Sequence, residues 1–141
     1  MEYAIENEYL IVTVTTWGAQ VKSVVRKFDD VEHMWQADKS VWGYHAPILF
    51  PHTGKVVDDL IETKGEVYQA KQHGFARLME HTLVRQTEDT IVMELRSNEE
   101  TLRIFPYAFR LVSTFTLDGD TLHHKLTVEN WDADKLYFGI G

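Results

Sequence analysis

Apolar and polar side chains alternate with a period of two along most of this chain. Leu10, Val12 and Val14 share one face while Ile11, Thr13 and Thr15 take the other, and a half-buried strand is the local structure that sorts side chains this way. Ala19, Val21, Ser23 and Val25 oppose Gln20, Lys22, Val24 and Arg26 in the same manner, and Ile91, Met93 and Leu95 alternate with Val92, Glu94 and Arg96. The longest pattern runs through Phe109, Leu111, Ser113, Phe115 and Leu117 into Asp118-Gly119-Asp120. Asp-Gly supplies the positive φ of a tight hairpin, and Leu122, His124, Leu126 and Val128 form the returning apolar face.

The exceptions to this alternation are few. Ser97 followed by Glu100 has capping-box spacing, and Pro106 ends the short helix that this predicts after Phe105. The stretch from Val56 to Ala70 is the least regular, with Lys64-Gly65-Glu66 marking a turn between two short polar strands. An apolar run at Ala46–Phe50 reads as a strand that stops at Pro51, turns at Gly54 and delivers Lys55 to its end. Several short strands and one minor helix predict an all-β protein, an antiparallel sandwich or barrel, with residues 1–141 forming a single domain.

Composition narrows the function classes. The chain has 141 residues, 44% hydrophobic and 12% aromatic, which suits a packed globular domain. A net charge of −8 repels phosphate backbones and anionic lipid, so neither nucleic acid nor a membrane is an expected partner. Without cysteine there is no disulfide, thiolate metal site or Cys nucleophile. No apolar stretch approaches a membrane span, and an acidic start, Met1-Glu2-Tyr3-Ala4-Ile5-Glu6, lacks the basic character of a signal peptide. A cytoplasmic location is therefore expected.

Chemistry concentrates in Gln72-His73-Gly74-Phe75-Ala76-Arg77 and the upstream Phe50-Pro51-His52-Thr53-Gly54-Lys55. A neutral His73 can donate to a ligand oxygen on one side and accept on the other. Taken alone, though, such a histidine is more often a loop residue bonded to backbone. Lys55 is either a ligand donor or a solvated surface lysine. Arg77 either holds a ligand oxygen or pairs with a carboxylate to brace its loop. His45 and His52 flank the Phe-Pro element and are candidates to line a cleft, while His33 and His81 read as surface residues. His123 and His124 point to opposite faces of a strand, so they cannot share a metal, and no metal site is expected. Trp17, Trp35, Trp42 and Trp131 can stack on sugar faces, but aromatics more often pack in cores, and that is their expected placement.

These two elements, together with Gly18-Ala19, Trp35, Pro106-Tyr107-Ala108-Phe109, Asn130 and Tyr137-Phe138-Gly139, resemble the aldose 1-epimerase (galactose mutarotase-like) family. The His-Gly-Phe-Ala-Arg motif resembles its branch of LacX-like proteins and hexose-6-phosphate mutarotases. The resemblance implies the N-terminal half of a large antiparallel β-sandwich, the galactose mutarotase-like supersandwich, with one short helix. It implies an isomerase that interconverts the anomers of a hexose or hexose phosphate without cofactor or metal. In that reading His73 is catalytic, contacting substrate near the ring oxygen, while Lys55, His73 and Arg77 bind substrate. Lys55 stands where the family commonly has Arg, whose forked donors a lysine does not reproduce. The family's acid His and base Glu are expected beyond Gly141. The alternative is a non-catalytic carbohydrate-binding or interaction domain. In either case the expected partners are a sugar or sugar phosphate and, to cover an unpaired sheet edge, a second copy of the chain or a complementary C-terminal half.

Overall fold

A computed structural model describes all of residues 1–141. Strands β1 (Glu2–Glu6), β2 (Leu10–Thr15), β3 (Gln20–Arg26) and β4 (Val31–Glu32) form one sheet in chain order. Strands β5 (Leu60–Thr63) and β6 (Glu66–Gln69) make a separate hairpin turned by Lys64 and Gly65, both at positive φ. Helix α1 (Glu99–Ile104) interrupts a second four-stranded sheet of β7 (Thr82–Gln86), β8 (Thr90–Arg96), β9 (Phe109–Asp118) and β10 (Thr121–Asn130), also paired in chain order. Every paired neighbour is antiparallel. The fold is thus the all-β antiparallel sandwich expected, with its single short helix.

Both large sheets contribute one face to a common core. Leu10, Val12 and Val14 from β2 meet Ile91, Met93 and Leu95 from β8 and Phe109, Leu111, Phe115 and Leu117 from β9. Each such side chain stabilises the fold by about 1.5–3 kcal/mol on full burial. The ends of the sheets are tied by polar contacts: Glu6 N–H donates to Glu88 O at 3.1 Å, and Asn7 Nδ2 donates to Gly119 O at 2.7 Å. No helix is long and apolar enough to cross a membrane.

Five local expectations need correction. In β3 the register shifts between Thr13 and Val14, which pair with Ser23 and Val21 and leave Lys22 as the extra residue. A bulge reverses the side-chain alternation beyond it, so Val21 and Val24 face the core, and Val25 does not belong with Val21. The helix cap lies one residue later than expected. Ser97 is still engaged in the β8–β9 ladder through Phe109 O at 3.0 Å, and Asn98 and Thr101 form the reciprocal capping box instead. The run ending at Phe50 is not a strand. Pro47 and Pro51 lack ladder donors, Phe50 makes only a single bridge to Gly74, and Leu49 exchanges both backbone hydrogen bonds with Gly141. His81 is 1% exposed and is no surface residue. The four tryptophans are not core: Trp17, Trp35, Trp42 and Trp131 keep 43–50% of their surface exposed.

Asp132 fastens the hairpin β5–β6 to the second sheet. Its carboxylate accepts from Ala108 N–H at 2.9 Å and Asp134 N–H at 3.0 Å, and it pairs with Lys64 Nζ at 2.9 Å. Those two backbone donors and then the ammonium hold its pKa at about 2, below the ordinary 3.8. The unfolded chain therefore takes up this proton first as pH falls, so the carboxylate's contribution is fully present above about pH 4 and is lost towards pH 2. Asp132→Asn should lower Tm at neutral pH, and the difference from wild type should shrink over that acid range in a series of thermal melts.

Candidate functional site

The loop bearing His73 and Arg77 is set by its contact with Phe50. Phe50 O accepts from Phe75 N–H at 2.9 Å and from Ala76 N–H at 3.2 Å. Gly74, at φ +67°, lies so close that an added Cβ would collide with that same carbonyl. Only glycine fits here, both for its left-handed backbone and for the missing side chain. On the far side Gly18 N–H donates to Met79 O at 2.8 Å, and a Cβ on Gly18 would stand 2.8 Å from Arg77 O. The loop is gripped between two glycine contacts.

His73 is itself at φ +67°, a conformation that costs a non-glycine residue about 1–2 kcal/mol. Two bonds to one residue hold it there. His73 N–H donates to Gly54 O at 2.9 Å, and Gly54 N–H donates to His73 Nδ1 at 2.9 Å. Because Nδ1 accepts, the neutral ring carries its proton on Nε2. The Gln72 amide nitrogen stands 3.3 Å from that Nε2. Two donors cannot share a bond, so the pairing requires the Gln72 amide to turn its oxygen to the ring. None of the hydrogen bonds or ion pairs of His73 involves a carboxylate.

Arg77 is the middle residue of a 3₁₀ turn, Ala76–Leu78. Its Nη2 donates to Gln72 O at 3.2 Å, and its guanidinium lies over the Tyr44 ring at 4.9 Å. It pairs with no carboxylate, so the bracing alternative for this residue is replaced by aromatic stacking, and its Nε is buried without an acceptor. Lys55 behaves differently. The loop puts its backbone next to His73 through Gly54, but its side chain is 65% exposed and pairs with Asp59 at 3.5 Å. It borders a shallow polar groove of about 300 Å³ with Gln69, Lys71 and Gln72. His73 and Arg77 are therefore joined through Gln72, while Lys55 lies beside them.

The flanking residues are anchors. His52 Nε2 donates to Lys71 O at 2.9 Å, and His45 Nδ1 contacts Trp35 O at 2.8 Å. Trp35 Nε1 donates to Trp42 O at 2.8 Å, and Trp42 packs at 5.9 Å on Tyr44, which carries Arg77. This aromatic strap, with Trp35 and Trp42 each partly exposed, leads to the guanidinium through Tyr44. Tyr44 and Gln72 are the contributors that motif reading did not single out. Tyr44's position two residues after Trp42 was the only cue. Behind Gly74 a partly open cavity of about 170 Å³ is lined by Ile61, Ala70, Phe75, Leu78 and Phe105, with His52, Lys71 and Glu100 among its polar residues.

An antiparallel sandwich of this kind is the fold of galactose mutarotase-like proteins. The aldose 1-epimerase family model matches residues 1–141, and the chain belongs to that family. Protein LacX of Lactococcus lactis subsp. lactis, in its plasmid form, is 33% identical over 140 residues, which cover 96% of this chain and 46% of that relative. The structure of a galactose mutarotase related enzyme from Lactobacillus acidophilus aligns with a TM-score of 0.98 at 36% identity, over 99% of this chain and 47% of that one. A galactose mutarotase-like protein from Lactobacillus casei ATCC 334 aligns at 0.96 and 33%, over 99% and 48%. The chain spans about half the length of these relatives.

Gly74→Ala tests the seam. Backbone strain of about 1–2 kcal/mol and overpacking of about 1–3 kcal/mol together should destabilise the fold by about 2–5 kcal/mol. Urea denaturation measures it, and Gly119→Ala, in a hairpin turn where the Cβ meets nothing, is the control for backbone strain alone.

Proposed function

We propose that this chain provides the sugar-orienting wall of an aldose 1-epimerase-like isomerase acting on a hexose or hexose phosphate. The observation that carries the reading is the Nε2–H tautomer that Gly54 imposes on His73, because it turns a donor towards the exposed Gln72 amide, whose place a ligand oxygen can take, beside a guanidinium that has no counter-ion. Anomer interconversion needs a base to take the proton from the anomeric hydroxyl. The C1–O bond to the ring oxygen then breaks as C1 becomes a carbonyl, and the ring oxygen gains a proton. In this scheme His73 Nε2–H donates to the ring oxygen as negative charge develops there, and Arg77 holds a hydroxyl pair or a phosphate oxygen. The open faces of Trp35 and Trp42 pack on the C–H surface of the sugar.

A binding-only role is the second reading, and the lack of any carboxylate partner for His73 favours it for the 141-residue polypeptide by itself. Polarimetry on freshly dissolved α-glucose and α-galactose separates the two. A rate above buffer that His73→Ala abolishes supports catalysis by this polypeptide, and binding without a rate supports the second reading.

Isothermal titration with glucose, galactose and their 6-phosphates tests the site as a whole. Arg77→Met should weaken whichever sugar binds by about 10-fold or more, consistent with loss of a charge-assisted bond of about 1.5–3 kcal/mol, and a preference for 6-phosphates assigns Arg77 to phosphate. Lys55→Arg should hold or tighten binding if Lys55 reaches the sugar, whereas equal affinity in Lys55→Arg and Lys55→Met makes it a surface residue. Failure of all four sugars to bind at millimolar concentration would reject the proposal.

The partner reading rests on β10. Its edge away from β9 has no strand neighbour, while Leu122, Leu126 and Val128 are only partly buried. Such edges template association, and we assign this one to a second copy of the chain or to a complementary half of the family's sandwich. Light scattering at micromolar concentration should report a mass above that of one chain when the polypeptide is alone, and a stable monomer would overturn it.

A further inference from the structure

The buried ring of His81 lies outside the sugar-facing surface, yet it touches the peptide that aims Arg77. His81 follows the 76–78 turn and is anchored by its own N–H, which donates to Thr16 O at 2.8 Å. Its Nε2 stands 3.0 Å from Ala76 O. A carbonyl only accepts, so Nε2 bears the proton and Nδ1 is bare. That Nδ1 is buried and has no partner. A second proton on the ring would place a charge and an unmet donor in the interior, and burial accordingly pushes the ring's pKa down. Glu80 is the charged group facing the ring; its carboxylate is 55% exposed and pairs with the Met1 ammonium at 3.6 Å. His81 is thereby held neutral, in one tautomer, with one donor and one recipient.

The recipient matters because Ala76 O and Arg77 N belong to the same peptide plane. The Ala76 residue is tied at both ends, its N–H to Phe50 O at 3.2 Å and its carbonyl to the His81 ring and, at 3.3 Å, to Met79 N–H. Fixing that plane fixes the direction in which the Arg77 side chain leaves the backbone. Gly18 packs against the Arg77 backbone on the far side, but nothing rigid aims the side chain itself: no carboxylate pairs with it, and its partners are the face of Tyr44 and the carbonyl of Gln72, both in loops. We infer that His81 is the positioning residue of the candidate site, acting through the Ala76 carbonyl to orient the Arg77 guanidinium toward ligand. This rests on the sugar-site reading for its functional consequence, but the geometry it asserts stands apart from any ligand.

The test compares His81→Gln, whose side-chain amide can restore the donor to Ala76 O, with His81→Phe, which fills the space without one. Long-range ¹H–¹⁵N spectra of the wild-type imidazole should report the Nε2–H tautomer for His81, and an Nδ1–H tautomer would overturn the proposal. The Arg77 Nε–H resonance should shift and exchange faster in His81→Phe and return toward wild type in His81→Gln. An Arg77 signal indifferent to both variants would overturn the proposal even where no sugar binds, so failure of the sugar reading is told apart from failure of this one. Where a hexose or its 6-phosphate does bind, His81→Phe should lose about 3- to 10-fold in affinity, the scale of one hydrogen bond, and His81→Gln should regain most of it. Equal losses in the two variants would assign His81 to packing alone and sink the idea. Should His81→Phe fail to fold, the wild-type tautomer and the His81→Gln resonance still decide.

Discussion

The backbone carbonyl of Phe50 is the point on which the rest of this molecule depends. The Phe50 ring is fully buried and lies 5.0–6.1 Å from the rings of Phe75, Phe105, Phe109 and Phe138, so three separate stretches of chain close around it. Its carbonyl simultaneously receives two N–H groups from the His73–Arg77 loop and the closest approach of Gly74. A side chain packed among aromatics cannot move without disturbing all of them, and the carbonyl moves with the side chain. The loop that carries the polar chemistry therefore takes its position from the apolar core.

That coupling explains how His73 keeps an unfavourable backbone. The left-handed conformation costs about 1–2 kcal/mol, and the two bonds exchanged with Gly54 return about 0.5–1.5 kcal/mol each. Those terms come close to cancelling. The bonds to Gly54 set the tautomer, but they are too weak to hold the loop by themselves. What settles the balance is the neighbouring Phe75 and Ala76 bonding to Phe50, together with burial of the Phe75 ring. The imidazole is thus oriented locally and held remotely.

Much of this was legible in the chain, and the exceptions share a cause. The hairpin of β9 and β10 could be read directly, because Phe109 to Leu117 alternate without interruption and Gly119 supplies the positive φ at the turn. The His73 motif was legible as a loop because glycine follows it. The face of Val24 was not, since the bulge at Lys22 arises from pairing with β2 and leaves no mark in β3's own pattern. Likewise His81 sits between polar neighbours, and its burial is created by Thr16 and Ala76, which reach it from other parts of the chain. The tryptophans misled for the opposite reason. Hydrophobic size argues for the core, but Trp35 donates its indole N–H to the Trp42 carbonyl, and the two form part of an exposed strap that reaches Arg77 through Tyr44. Local patterns report what the local backbone does; they are silent where a distant segment decides.

Charge completes the logic of the site. The chain carries a net charge of −8, which by itself would repel an anionic sugar. At physiological ionic strength, however, exposed charges are screened over about 8 Å, so scattered surface carboxylates contribute little at the ligand. A guanidinium a few ångström away contributes far more, about 4 kcal/mol at 4 Å for an effective dielectric near 20. Arg77 is suited to that contest because no carboxylate neutralises it. Tyr44 covers one face of its plane, so its remaining donors are offered along the edge, and Gln72 O occupies part of that edge. What is left is a narrow, planar set of N–H groups able to donate to oxygen atoms lying in the guanidinium plane. On the proposed reading, that geometry would limit how a ligand sits, and the uncompensated charge would set how strongly an anionic group is preferred over a neutral hydroxyl.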